Sequence, residues 1–335
     1  MVTIADVAER AGVTTATVSN VVTGRVTVSS KTRARVLKAI AELGYRPNLL
    51  ARGLARGRTY TIALVVPTIT NPFFSEVVEE VERTADRNGF QIMLNTTHNV
   101  MELGKRHLER MASRWMDGCI VMSMAADITD VLEVAKLGKP VVLSAWDQDP
   151  RAAALPIVDI DFRSAGELAT QHLVALGHRR IAAILELPVQ QSRLDGYRLA
   201  LATGDVAPDP TLLLAGDSSF ESGYHAAEAA LALPEPPTAF FAGNDQMALG
   251  AIEAITARGL RVPGDVSVVG VDDIMQAAYS HPPLTTISIP KREMARAATE
   301  LLLRLIERKD EAPPATHVTL VRPHLVERAS TGRVG

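Results

Sequence analysis

Aromatic residues are scarce in this 335-residue chain, at 4%, whereas hydrophobic residues of all kinds make up 47%. The core must therefore consist mainly of aliphatic side chains, and there are enough of them for a large folded body. The single cysteine, Cys119, excludes an internal disulfide, and its apolar sequence neighbours predict a buried structural thiol. A chain of this length is expected to contain two or three domains.

Long apolar runs are also missing. No segment provides the roughly 18 uncharged apolar residues that a membrane helix needs. The first eleven residues include Asp6, Glu9 and Arg10, so they do not resemble a signal peptide. These features predict a cytoplasmic protein that has no membrane partner.

Motifs for catalysis and metal binding are absent as well. The first strand is not followed by the glycine pattern of dinucleotide sites, and neither a Walker sequence nor a Gly-x-Ser-x-Gly motif occurs. The eight histidines show no metal-ligand spacing. The sequence therefore predicts no enzyme, no metal site and no cofactor.

Charge is distributed unevenly along the chain. Residues 1–58 contain ten Lys and Arg against three Asp and Glu, a net charge of +7, although the whole chain carries -3. A basic head on an acidic body indicates a polyanionic partner for the head. A solvated charged surface is the alternative, and charge alone does not separate the two.

Hydrophobic periodicity predicts three helices in this head. A capping box of Thr3 and Asp6 begins the first helix, and Gly12 ends it. The second is expected to begin at Thr14 and to bury Val18, Val21 and Val22, together with Ala16 or Thr17. The third is expected to be capped by Ser30, to end at Gly44 and to bury Val36, Leu37, Ile40 and Leu43. The short turn between the first two helices is typical of a helix-turn-helix, which favours DNA over other polyanions.

A segment rich in leucine and arginine follows the head at 48–58. Gly53 and Gly57 disfavour a helix here by about 1 kcal/mol each. An apolar side chain flanked by arginines is what a protein needs to wedge open a minor groove. We therefore predict a short helix that forms only on DNA.

From Thr61 onward, apolar strands alternate with amphipathic helices, and a second series of this kind begins near Val158. The pattern predicts an α/β fold with two doubly wound parallel lobes behind the three-helix head. In such sheets, ligands bind at the carboxyl ends of the strands. A ligand cleft between the lobes is therefore expected.

Short motifs throughout the chain resemble the family of the lactose and purine repressors (LacI/GalR). They lie at 3–8 (TIADVA), 11–14, 16–21, 44–48, 70–74 (TNPFF), 175–181, 193–197, 244–251 (NDQMALGA), 268–273 and 283–287. The resemblance implies a transcriptional repressor that binds a palindromic operator as a homodimer. It also implies allosteric control by a small-molecule effector, in particular a sugar.

The resemblance further implies a domain plan. It consists of a DNA-binding domain at 1–47, a hinge helix at 48–58 and a ligand-binding domain at 59–335. Lobe one covers about 59–158 and 289–319, and lobe two covers about 159–288 and 320–335. The chain is expected to cross between lobes near Asp159, Ser288 and Thr319.

Residue roles on the DNA side follow from the same resemblance. Asn20 matches a base-reading position, and Asn suits a bidentate contact to adenine. Leu54 matches the leucine inserted into the minor groove, although it could instead pack within the dimer. Thr15 matches a base-reading position too, with a helix-start residue without a DNA contact as the alternative. The implied DNA-binding set is Thr3, Thr14, Thr15, Ala16, Thr17, Asn20, Arg33, Tyr45, Asn48, Ala51 and Leu54.

On the effector side, Arg193 and Asp272 match residues that hold ligand hydroxyls by charge-assisted hydrogen bonds. A salt bridge across the cleft is the alternative role for this pair. Phe73 and Trp146 match pocket aromatics but could be core residues, and Asn244 matches a sugar contact but could simply cap a helix.

Two departures from the family bear on the ligand. Ser218 stands where other members carry an aromatic residue, and the loop before Arg193 lacks the second arginine of the purine repressor. One positive and one negative group suit a neutral, hydroxyl-rich molecule better than an anion. A free-standing sugar-binding protein and an α/β enzyme are the competing hypotheses, and the effector could either release or promote DNA binding.

Overall fold

The computed structural model describes residues 2–23, 27–45, 58–111, 116–122, 125–146, 150–307 and 318–334. The chain divides into two compact units, Met1–Tyr60 and Thr61–Gly335. The predicted hinge contacts Asn48, Ala51 and Leu54 lie outside the described residues.

The first unit contains the helices α1 (Ile4–Ala11), α2 (Thr15–Thr23) and α3 (Ser30–Leu43). The capping box is present, since the Thr3 side chain accepts from Asp6 N and the Asp6 carboxylate accepts from Thr3 N at 2.8 Å. Gly12 and Gly44 end α1 and α3 with φ values of 62° and 63°, a left-handed conformation that favours glycine.

The head core differs from the prediction at two positions. Ser29 caps α3 rather than Ser30, because its hydroxyl is three residues before Thr32 N and accepts from it at 3.3 Å. Leu37 is 49% exposed rather than buried, because the inward face of α3 passes through Val36 and Ala39. The buried members of the head core are Val7, Ala8, Ala11, Val18, Val21, Val36 and Ala39.

The second unit is built on two six-stranded sheets. The strands of the first are β1 (Thr61–Val66), β2 (Gln91–Thr96), β3 (Gly118–Met122), β4 (Val141–Ser144), β5 (Ile157–Ile160) and β11 (Val318–Val321). Those of the second are β6 (Ile181–Leu185), β7 (Leu213–Ala215), β8 (Ala239–Ala242), β9 (Ser267–Asp272), β10 (Thr285–Ser288) and β12 (His324–Val326). Their spatial orders are β11-β5-β4-β3-β1-β2 and β12-β10-β9-β8-β6-β7. Among the described strands, all pairs are parallel except β10 with β12.

Helices cover these sheets, as the alternating pattern predicts. In the first lobe they are α4 (Pro72–Arg87), α5 (Met101–Arg110), α6 (Ile128–Lys136) and α12 (Lys291–Glu307). In the second they are α7 (Phe162–Ala175), α8 (Gln191–Thr203), α9 (Phe220–Leu231), α10 (Asp245–Ala257) and the short α11 (Met275–Tyr279). Short 3-10 turns lie at Pro150–Ala154 and Pro210–Leu212. No helix among these described elements is long and apolar enough to cross a membrane.

Three connections join the lobes. The chain passes from β5 to α7 at Asp161, from β10 to α12 at 289–290, and from β11 to β12 at 322–323. Thr319 lies inside β11, opposite Val158 of β5, so the third connection begins three residues later than Thr319. In each lobe the strand ends that precede the helices face a common cleft.

Candidate functional site

The start of α2 presents an exposed polar surface on the head. Thr14, Thr15 and Ala16 are exposed, whereas Val18 on the same helix is fully buried and fixes the helix on the head core. Thr14 Oγ1 accepts from Thr17 N at 3.2 Å and lies 3.0 Å from Thr17 Oγ1. Because Ala16 is exposed and Thr17 half-buried, the inner face of α2 includes Thr17 rather than Ala16.

The other described DNA-side residues lie on, or next to, the three helices of the head. Asn20 is half-buried one turn after Ala16, so the two share a helix face. Arg33 is exposed on α3, and Tyr45 is half-buried against the head core. Thr3 is exposed within the capping box. An exposed helix start and an exposed cation on the same small domain can meet a DNA groove and its phosphate backbone.

A cavity opens between the two sheets of the second unit. Its volume is about 600 Å³ when its open mouth is included. The lining residues are Asn71, Phe73, Phe74, Met122, Ala145, Phe162, Val189, Gln190, Arg193, Ser218, Asn244 and Asp272. The structure thus brings together four of the predicted effector residues, Phe73, Arg193, Asn244 and Asp272.

Asp272 is the acidic residue of the cavity. It ends β9, is 5% exposed and has a φ of 115°, in the left-handed half of backbone space. Burial raises the pKa of its carboxyl to about 7, although the nearby charges of Arg193 and Lys291 oppose that rise. This side chain can therefore accept or donate a hydrogen bond near neutral pH.

Arg193 is the cationic residue of the cavity and lies in the first turn of α8, 8% exposed. Its guanidinium carbon lies 4.1 Å from the centre of the Phe162 ring. This cation–π contact fixes the plane of the guanidinium against an aromatic wall. The guanidinium is thus presented to the cavity with a set orientation.

A hydrogen-bond network forms the polar wall of the second lobe. The Ser218 hydroxyl donates to Glu186 Oε2 at 2.6 Å, and Gln190 Nε2 donates to Ser218 Oγ at 3.2 Å. Asn244 Oδ1 accepts from Met247 N at 2.9 Å, and Asn244 Nδ2 donates to Ser218 O at 3.1 Å. Asn244 therefore caps α10 as well as lining the cavity.

Aromatic side chains form the wall of the first lobe. Phe73 and Phe74 meet edge to face, with ring centres 5.2 Å apart, at the start of α4. Trp146 does not line the cavity but packs in the hydrophobic core of the first lobe with Leu155 and Ile157. Ala145, with a φ of 52°, occupies the lining position instead.

A second carboxyl, that of Asp245, holds the backbone next to Asp272. It is fully buried, accepts from Ile274 N at 2.9 Å and from the Thr286 hydroxyl at 2.5 Å. Burial, together with the charge of Asp272, raises the pKa of Asp245 well above its ordinary value. The carboxyl thus holds the backbone that follows Asp272.

Several lining residues were not predicted individually from the sequence. They are Asn71, Phe74, Met122, Ala145, Phe162, Val189 and Gln190, whereas Ser218 was singled out as a departure from the family. Nearly all lie at, or just after, the carboxyl end of a parallel strand, which is the general location of ligands in such sheets. That rule, applied strand by strand, is the signal that finds them.

Comparison with known proteins gives the family. Residues 3–48 match the model of bacterial regulatory proteins of the lacI family, and residues 170–331 match a periplasmic binding protein-like domain. The chain is 37% identical to the HTH-type transcriptional repressor PurR of Haemophilus influenzae, and the match covers 98% of both chains. The chain belongs to the LacI family. This LacI-type chain is a transcriptional repressor and not an enzyme.

Solved structures of transcriptional regulators match over both units. The lac repressor dimer bound to operator and the anti-inducer ONPF has a TM-score of 0.88 at 31% identity, covering 99% of each chain. The complex of the regulator CelR with cellobiose has a TM-score of 0.75 at 34% identity, covering 98% of this chain and 100% of the other. Among the described residues of this LacI-type chain, no cluster of His, Cys, Asp and Glu is arranged to hold a metal ion.

Proposed function

We propose that this LacI-family repressor binds a palindromic operator as a homodimer and that a neutral sugar, or a sugar derivative, controls its hold on DNA. In this proposal the protein acts in the cytoplasm, on the nucleoid. The observation that carries the ligand part is the cavity itself, in which Arg193 and Asp272 line one space with aromatic rings beside them. Cellobiose bound to CelR, a structural neighbour, is in keeping with such a ligand.

The chemistry of the cavity favours a neutral polyol. The Arg193 guanidinium donates hydrogen bonds, and the Asp272 carboxyl accepts or donates them, so vicinal hydroxyls can satisfy both groups. Phe73 and Phe162 provide apolar surface for the CH face of a sugar ring. A strongly anionic ligand would instead place its charge next to the carboxyls of Asp272 and Glu186.

A nucleobase is the second candidate, favoured by the 37% identity to PurR relatives. A flat base is held best between two aromatic faces. Ser218 provides a hydroxyl at the wall where other family members carry an aromatic residue, and that hydroxyl is bonded to Glu186. We therefore rank the nucleobase below the sugar.

The ligand assignment is tested by a thermal-shift screen of sugars, polyols and nucleobases, followed by calorimetry with each hit. Arg193→Ala and Asp272→Ala should each weaken binding at least tenfold, whereas Arg261→Ala, a change at an exposed residue that does not line the cavity, should not. If both cavity variants bind as tightly as the wild type, the site is wrongly placed. Hits that are exclusively strong anions would refute the charge argument.

On the DNA side, the net +7 of residues 1–58, doubled by dimerisation, supports strong electrostatic binding. Operator affinity should fall steeply with salt, with a log–log slope of several units. Removal of residues 1–58 should abolish DNA binding and leave ligand binding intact. A free-standing sugar-binding protein would lose nothing on this truncation.

Apolar side chains on two surfaces support the homodimer. Met93 and Leu94 are exposed on the edge strand β2, and Met275 and Tyr279 are exposed on α11 by 67% and 74%. Exposed apolar patches of this kind are typical of protein interfaces. A monomer by sedimentation at micromolar concentration, with operator affinity unchanged, would refute dimeric binding.

We further infer that ligand binding closes the lobes and melts the hinge helix at 48–58, which releases DNA. The reason for this inference is that Gly53 and Gly57 disfavour a helix in this sequence by about 1 kcal/mol each. Leu54→Ala should reduce operator bending in a gel assay and leave ligand binding intact. An effector that strengthens operator binding would reverse the direction of the switch.

A further inference from the structure

The turn that follows β9 has an unusual backbone. Asp272 and Asp273 have φ values of 115° and 53°, and neither residue is glycine. Consecutive residues of this kind persist only when surrounding contacts hold them, and such backbone strain concentrates at binding sites. The Asp272 side chain reaches the cavity from this turn.

The charged group that holds the turn most directly comes from the other lobe. Lys291 Nζ donates to the carbonyl oxygens of both Asp272 and Asp273, each at 2.7 Å. Lys291 begins α12 of the first lobe, immediately after the 289–290 connection. It is 6% exposed, and a buried ammonium group requires partners of this quality.

Lys291 also has a partner in its own lobe. Its Nζ lies 3.3 Å from Glu76 Oε1 on α4. Glu76 is one helical turn after Phe73, which forms the aromatic wall of the cavity. One ammonium group thus contacts the helix that carries one wall and the turn that carries the other.

Lys291 differs from its neighbours along the α4–α12 packing. Arg292 lies 3.9 Å from Glu79, and Arg296 lies 3.2 Å from Glu80, so both of these pairs join elements of the first lobe alone. Lys291 also pairs with a glutamate of α4, but in addition it binds carbonyl oxygens of the second lobe. Arg328, from the segment after β12, holds Asp273 Oδ1 at 2.6 Å and belongs to the second lobe.

We propose that Lys291 is a positioning residue that couples the Asp272 turn of the second lobe to α4 of the first, and so keeps the acidic wall and the aromatic wall of the cavity in register. The inference rests on the proposed function only in that the cavity is the effector site. A change at either wall is then felt at the other through one side chain. By linkage, the influence is reciprocal.

Hydrogen–deuterium exchange of the full-length protein, without ligand or DNA, tests this coupling. The reporters are the amides of Ile274, which donates to Asp245, and of Ala277, which donates to Ile274 O. Lys291→Met should speed their exchange by about tenfold, as expected for the loss of a hydrogen bond from a charged donor. Lys291→Arg, which keeps the charge and the donors, should restore most of the protection. Lys136→Met, at the exposed end of α6, is the matched control and should change nothing.

The decisive comparison uses Glu76→Gln, a change in the first lobe alone. It should speed exchange at the second-lobe amides by about threefold, the scale of a partly exposed ion pair. The effect should vanish in the Lys291→Met background, because the contacts of the ammonium group with both lobes are already lost. Glu82→Gln, an exposed glutamate on the same helix, is the control.

Equal effects of Glu76→Gln in both backgrounds, or no effect at Ile274 and Ala277 in either, would overturn the coupling. If Lys291→Met does not fold, Glu76→Gln is measured alone and together with Lys291→Arg. Unchanged exchange at Ile274 and Ala277 in Glu76→Gln would then refute the coupling. None of these results depends on the ligand. The coupling and the proposed sugar site can therefore fail separately.

Discussion

Replacement of Asp272 by asparagine should make the protein more stable, and increasingly so as the pH rises. The carboxyl has an ordinary pKa of 3.8 in the unfolded chain and about 7 in the fold, because burial disfavours its charge. The folded state therefore binds the proton more tightly, and wild-type stability falls as the pH rises from about 4 to about 7. Asparagine cannot ionise, so the variant does not share this loss.

The size of the effect follows from the two pKa values. A tenfold difference in proton affinity corresponds to about 1.4 kcal/mol, so complete ionisation of Asp272 costs the fold roughly 4 kcal/mol. At about pH 5 the penalty is still only roughly 2 kcal/mol, because the carboxyl is ionised in the unfolded chain but still protonated in the fold. The advantage of Asp272→Asn should thus grow by about 2.5 kcal/mol between pH 5 and pH 8.

Urea unfolding followed by circular dichroism at the two pH values measures this difference, with equal m-values as the check on comparable unfolding. Asp265→Asn is the matched control. Arg261 lowers the pKa of Asp265 to about 2, so that carboxylate is ionised in both states above about pH 5 and its replacement should have a pH-independent effect. If Asp272→Asn gives the same difference at both pH values, the carboxyl is not protonated near neutrality and the argument from burial is wrong.

Substitutions at four further positions test the head and the packing of the second lobe. Thr3→Ala should destabilise α1 by about 1 kcal/mol through loss of the capping box, seen as faster amide exchange at Val7, whereas Thr3→Ser should keep its protection. Gly196→Ala should destabilise the second lobe by about 1–3 kcal/mol in thermal unfolding, because the added methyl group would meet the carbonyl of Arg163 where α7 and α8 pack; unchanged stability would mean that the helices can separate freely. Asn20→Ala should relax preference at one operator position by about 1–3 kcal/mol, whereas Arg33→Ala should weaken all sequences alike, and identical profiles on a randomised operator library would contradict both roles.

Periodicity and caps predicted the elements of the fold well, since most of its helices begin at a hydroxyl, amide or carboxylate cap that can be seen in the sequence. The Thr3 capping box and the αL glycines at 12 and 44 are local devices, and a local device needs no tertiary information. The misplaced cap at Ser30 shows the limit, because two adjacent serines are equivalent until the helix register is known.

The cavity was less predictable from the sequence because it depends on the direction of side chains at strand ends. Trp146 comes two residues after the end of β4, but the left-handed Ala145 between them places the tryptophan in the core and the alanine on the lining. The exposure of Leu37 could not be predicted either, because the apolar pattern of a helix does not show where its buried face ends. The contacts of Lys291 join residues far apart in the chain and have no signature in spacing.

The three connections between the lobes lie at one edge of each sheet, and together they form a spine about which the lobes can rotate. β5 and β11 lie at one edge of the first sheet, and β10 and β12 lie at one edge of the second, whereas β2 and β7 form the opposite edges. With neighbouring strands about 4.8 Å apart, β2 lies roughly 24 Å from the spine. A 10° rotation about the spine would therefore move β2 by about 4 Å and the residues beside the spine by very little. Met93 and Leu94 lie on β2, the strand farthest from the connections. A second subunit bound to that edge would therefore contact the part of the first lobe that such a rotation displaces most.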